Sequence, residues 1–115
     1  MDGYDLVSEL NDLRAKLSVS GKSMERYGKE LAEAERDYKI KLREEALRLR
    51  AEENMAVTLI NQVVYGIPEV AELRFKRDVA ETMYKVSQES INTLKLKIRV
   101  LDAQIQREWG GANNV

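Results

Sequence analysis

The chain has 115 residues, 34% of them charged and 6% aromatic, with one proline, no cysteine and no histidine. Such a composition suits long helices rather than a β-rich domain, and it excludes disulfides, thiolate zinc sites, cysteine nucleophiles and the usual neutral-pH general base. With 19 basic and 20 acidic residues the net charge is −1, which is not the footprint of a protein held to nucleic acid by bulk electrostatics.

The N-terminal arm carries a heptad seam: Leu6, Leu10, Leu13, Leu17, Ser20, Met24, Tyr27, Leu31, Ala34 and Tyr38 alternate in steps of four and three. Ser18 to Gly21 has the composition of a helix break, and Ser20 and Ser23 suit an N-cap. The expectation is a short N-terminal helix ending there, although the phase of the seam survives the interruption. After Tyr38 the apolar members are Leu42, Ala46 and Leu49, so steps of four follow one another. That stutter turns the stripe to another face of the helix.

Glu52, Glu53 and Asn54 read as a helix stop, and Met55 to Tyr65 as a short apolar helix at a bend. Gly66 suits a C-terminal cap, Pro68 the first position of the next helix, and Glu69 and Glu72 its N-terminal dipole. From Val70 the seam resumes through Leu73, Arg77, Ala80, Tyr84 and Ser87. It ends in an unbroken run of Ile91, Leu94, Ile98, Leu101 and Ile105. A helix with such a stripe needs a partner surface.

The last helix spans about 60 Å, whereas an unbroken helix from 4 to 65 spans about 90 Å, so the first arm is expected to break near Gly21 and near Asn54. The predicted fold is all-α: a long antiparallel, coiled-coil-like hairpin with short N-terminal and bend helices. It forms one domain over residues 1–109, followed by a flexible tail at 110–115. Leu73, Phe75, Val79, Met83 and Val86 make the first half of the last helix too apolar for a single neighbour. The bend helix or a second subunit is expected to cover that wide face. Ile alternating with Leu from Ile91 to Ile105 also suits a two-stranded oligomer seam, hence a homodimer, although antiparallel packing within the chain uses the same residues.

No catalytic, cofactor or metal site emerges. Glu30, Glu33 and Asp37 share a helix face, but without histidine a solvated face is the better reading than a di-metal centre. No Ser, Lys or Tyr sits in a glycine-rich elbow, and Gly110-Gly111 opens no phosphate-cradling helix. Arg36, Lys39 and Arg43 form a basic row beside Tyr38, with Arg50 further along. Nucleic-acid contact there is possible but not favoured, because acids lie three or four residues from many of the basic side chains: Arg48 near Glu44 and Glu52, Arg77 near Glu81, Arg99 near Asp102. Tyr27, Tyr38, Tyr65 and Tyr84 read as core. Arg77 and Ser87 interrupt the seam as register-fixing positions, and Trp109 is an interface candidate near the helix end.

Four blocks carry a resemblance: Ala34 to Lys39, Leu47 to Ala51, Val70 to Glu81, and Ile98-Arg99 with Arg107-Glu108-Trp109. In sequence and spacing they resemble small hypothetical proteins of phages and prophages of Gram-positive bacteria, over roughly residues 30 to 109. The resemblance implies a phage-encoded protein acting inside a bacterial cell, from early or DNA-recombination gene regions, and implies no catalytic residues. No apolar run approaches the roughly 20 residues of a membrane span, so a soluble cytoplasmic location is expected.

The expected function is a non-enzymatic helical interaction protein that binds a bacterial or phage nucleoprotein complex, in phage DNA metabolism or against a host defence system such as a CRISPR nuclease. Its partner surface is placed on Leu96, Val100 and Trp109 with Arg36, Lys39 and Arg43. The alternatives are a nucleic-acid-binding accessory of recombination or replication and a structural assembly or scaffold oligomer.

Overall fold

A computed structural model describes residues 3–113 of the chain. Among them the order is α1 (Gly3–Glu52), α2 (Val57–Val63), a single 3-10 turn (Val64–Gly66) and α3 (Pro68–Asn113). The helices follow the seam closely. Every seam position from Leu6 to Leu49 on α1, and from Val70 to Ile105 on α3, is buried or half-buried.

The expected break at Gly21 does not occur, and the short N-terminal helix is simply the start of α1. A glycine inside a helix costs about 1 kcal/mol relative to alanine. Breaking the helix there would instead throw Met24 and Tyr27 out of phase with Leu13 and Leu17, and each of those side chains is at least half-buried. The length mismatch is met by one break instead of two: α1 stops at Glu52, at the break expected near Asn54, and the return to α3 is made by separate elements. The two long helices then have 50 and 46 residues.

Asn54 ends α1 by adopting a left-handed backbone with φ of 50°, a conformation asparagine tolerates better than most residues. The Met55 N–H donates to the Leu49 carbonyl at 3.2 Å, and the Arg50 guanidinium donates to the Met55 carbonyl at 3.0 Å. These bonds satisfy backbone groups that the helix end and the turn leave free. Gly66 is not a left-handed cap; it closes the 3-10 turn, with the Ile67 N–H bonded to the Val64 carbonyl. Pro68 opens α3, where its missing N–H costs nothing, and Glu69 stands in the first turn. At the other end α3 continues through Asn113, so residues 110–113 of the expected tail are helical, and the remainder of that tail lies outside the described residues.

The chain divides into two compact units. The terminal unit takes the start of α1, through Glu25, and α3 from Lys85 onward; the bend unit runs from Arg26 to Tyr84. In the terminal unit Leu6, Leu10, Leu101 and Ile105 form one buried cluster, with Val7, Leu13 and Ile98 packed against it. The two helix segments are therefore antiparallel. In the bend unit Ile60 and Val64 pack on Leu49, together with Leu42, Ala46, Met55 and Ile67. The stutter has a physical purpose here, since its turn of the stripe delivers Leu42, Ala46 and Leu49 to α2.

Candidate interaction surface

The five Ile/Leu residues proposed as an oligomer seam are occupied inside the chain. Ile91, Leu101 and Ile105 are buried, Leu94 and Ile98 are half-buried, and α1 supplies the opposing side chains. Within the chain the seam thus has α1 as its neighbour, with Ile98, Leu101 and Ile105 packed against Leu6, Leu10 and Leu13. The wide apolar face divides differently from expectation as well. Leu73 turns into the seam, whereas Phe75, at 63% exposure, stands outside with Val79, Met83 and Val86. The bend helix does not cover these residues, because its buried side chains are directed to Leu42, Ala46 and Leu49 instead.

The two flanks of α3 beside the seam differ in character. On one flank lie Arg74, Asp78, Gln88, Asn92, Lys95, Arg99 and Asp102, all polar and exposed. Away from that flank, Phe75, Val79 and Met83 stand exposed in the bend unit, and Val86, Leu96 and Val100 stand exposed in the terminal unit. Val100 is 59% exposed and Leu96 nearly as much. In the terminal unit these two residues border a groove between the helices, lined by Leu6, Glu9, Asp12, Leu13 and Lys16 of α1 and by Leu96, Lys97, Val100, Leu101 and Gln104 of α3. A neighbouring depression adds Ala15, Val19 and Leu94 on the same side. Sequence reasoning singled out Leu96 and Val100, and Lys97 as one of the basic positions of the last helix, but missed Glu9, Asp12 and Lys16. The signal for those three was their heptad phase on α1, which places them on the side of the seam where Val100 lies.

Trp109 is 57% exposed yet not free. A methyl group built on Gly3 would lie 2.8 Å from the indole Nε1, so the ring rests on the start of α1. It closes the end of the terminal unit while leaving more than half its surface to solvent.

The basic row is largely neutralised. Arg36 pairs with Asp37 at 3.0 Å and Lys39 with Glu35 at 3.6 Å; Arg43 is exposed. Arg48 donates to Glu45 at 2.7 Å and also meets Glu53 and Glu52. That hydrogen bond holds the Glu45 carboxyl below the usual carboxylate range, with Lys41 adding to it from 3.3 Å. Arg77, although in the seam, does not face an apolar neighbour. It bonds Asp78 at 2.8 Å, reaches Glu35 at 3.8 Å and lies 4.9 Å over the Tyr38 ring, and the Asp78 bond raises its pKa further. This is an interhelical polar lock at one register. Tyr38 is buried and Tyr84 is half-buried against Gly28, whereas Tyr65 is exposed under the Arg74 guanidinium and is not core.

Among the described residues no group of three or more acidic, histidine or cysteine side chains is placed to hold a metal ion, and no helix is long and apolar enough to cross a membrane. Comparison with family models, curated proteins and solved structures finds no match.

Proposed function

We propose that the chain is a non-enzymatic helical interaction protein that presents the exposed Phe75, Val79 and Met83 row of α3 to a protein partner. The observation that carries this reading is the exposure of Phe75, Val79 and Met83 in one row, next to a seam that is already filled. An apolar row of this kind on a charged helix is what an amphipathic partner helix or a hydrophobic groove recognises. The resemblance to phage proteins supplies the setting: a phage-encoded factor in the host bacterium, engaging a nucleoprotein complex of DNA metabolism or of host defence. The neutralised basic row weighs against direct nucleic-acid contact as the main activity.

The test compares wild-type chain with a Phe75→Glu/Val79→Glu variant as bait in lysate from infected and uninfected cells. Loss of a captured nucleoprotein component, with unchanged helical circular dichroism, is the expected result. Capture that is indifferent to these substitutions refutes the surface. Binding of purified DNA or RNA that weakens steeply with salt, and is lost on charge reversal of Arg36, Lys39 and Arg43, would move the assignment to a nucleic-acid accessory. Purified chain that builds large assemblies unaided in light scattering would move it to a scaffold.

A further inference from the structure

We propose that the terminal unit and the bend unit are two copies of one helix-pair module, each closed by an aromatic ring of α3 seated in a glycine socket on α1. The first observation is a repeat along α1. Gly3, Asp5, Leu6, Asp12, Leu13, Arg14, Lys16 and Leu17 return 25 positions later as Gly28, Glu30, Leu31, Asp37, Tyr38, Lys39, Lys41 and Leu42. Between residues 3–17 and 28–42 five positions are identical, and two more keep the sign of the charge. A displacement of 25 is not a multiple of the heptad, so heptad spacing alone does not bring like polar residues into coincidence. Gly3, Leu6, Leu10, Leu13 and Leu17 are all buried or half-buried, and so are Gly28, Leu31, Glu35, Tyr38 and Leu42 at the corresponding places.

The second observation lies on α3 and does not depend on the repeat. A methyl group built on Gly3 would lie 2.8 Å from the Trp109 indole Nε1, and one built on Gly28 would lie 3.3 Å from Tyr84 Cε2. Tyr84 and Trp109 are themselves 25 positions apart. On Gly21, Gly66 and Gly110 the same methyl would meet open space. The two glycines that carry the repeat are therefore the two that a ring approaches. Leu73 and Ala80 of the bend unit match Ile98 and Ile105 of the terminal unit at the same displacement, and all four face the seam.

The division into compact units follows the same boundary. Residues 3–17 and Trp109 belong to the terminal unit, and residues 28–42 and Tyr84 to the bend unit. The copies differ at the polar contact, where Glu35, Tyr38 and Arg77 stand in place of Leu10, Leu13 and Asp102. Seam side chains can exchange in this way with repacking, whereas a Cβ in either socket displaces the ring. Each glycine thus positions the ring of its own unit. The module shares no residue with the Phe75, Val79 and Met83 surface and does not rest on it.

The experiment is a set of double-mutant cycles in the full chain, read as the midpoint of thermal unfolding by circular dichroism. Gly3→Val and Gly28→Val should each lower the midpoint more than Gly21→Val, which fills open space. Trp109→Ala should offset the excess loss of Gly3→Val, and Tyr84→Ala that of Gly28→Val. The crossed combinations, Gly3→Val with Tyr84→Ala and Gly28→Val with Trp109→Ala, should be additive. Absence of compensation in either matched pair, or compensation in a crossed one, overturns the paired sockets. A block exchange tests the repeat separately: residues 28–42 are replaced by the sequence of residues 3–17, and in a second chain the same block is placed one position later, at 29–43. The exact placement should melt at the higher temperature; an equal or lower midpoint overturns the repeat.

Discussion

In the terminal unit Leu6, Leu10, Leu101 and Ile105 close an aliphatic seam, whereas the corresponding stretch of the bend unit passes through Tyr38, Arg77 and Tyr84. Both segments follow the same heptad spacing, so periodicity alone does not distinguish them. Their chemistry does. Aliphatic packing is strong but permissive, because one Leu/Ile layer resembles the next. The Arg77 lock, with its contacts to Glu35, Asp78 and the Tyr38 ring, has no equivalent one heptad away and fixes which turn of α1 faces which turn of α3. Both units have buried apolar clusters, and the polar register contact lies in the bend unit.

Five substitutions test that contrast, from the largest effect to the smallest. Leu6 is 1% exposed, and Leu6→Ala should cost about 2–5 kcal/mol in chemical denaturation. Hydrogen exchange should show the loss of protection concentrated at residues 3–25 and 85–113. A cost spread evenly over the chain would break the division into two units. Arg77→Ala should cost only about 1 kcal/mol, because its side chain is partly solvated and its contacts are polar and cation–π. If it destabilises more than Leu6→Ala, the reading of Arg77 as a register contact rather than a main source of cohesion is mistaken.

Glycine provides a finer comparison. A methyl group on Gly21 of the terminal unit would meet open space, so Gly21→Ala should raise stability by about 0.5–1 kcal/mol. On Gly28 of the bend unit the same methyl would lie 3.3 Å from Tyr84 Cε2, so Gly28→Ala should gain less in thermal melts or lose. Equal gains would show that Tyr84 is not closely seated.

The smallest effect is acid sensitivity. The folded-state pKa of Glu45 lies below its unfolded value, chiefly through Arg48. Its contribution is thus complete above the unfolded carboxylate pKa and is lost as pH falls through the lower folded value. Glu45→Gln should flatten that acid limb in denaturation midpoints measured against pH; an unchanged limb removes Glu45 from the account.

Most of the seam was readable because one physical requirement, burying an apolar stripe, writes itself into every third or fourth residue. The same reading marked Arg77 as an interruption and Pro68 as a helix start. Gly21 misled because local composition suggested a stop, while the preserved phase on either side was the stronger signal. The cover of Phe75 to Val86 could not be read for a different reason. Which face a short helix presents depends on the angle at which the chain turns, and that follows from Asn54 and the stutter acting together. Glu9, Asp12 and Lys16 were not singled out, because which α1 side chains line a groove with Leu96 and Val100 is decided only when α3 is laid antiparallel beside α1.

The seat of Trp109 on Gly3 has an optical consequence. The chain has a single tryptophan, so its emission reports one location, the closed end of the terminal unit. Fraying there would free the indole from α1 and shift its spectrum and anisotropy without any added label.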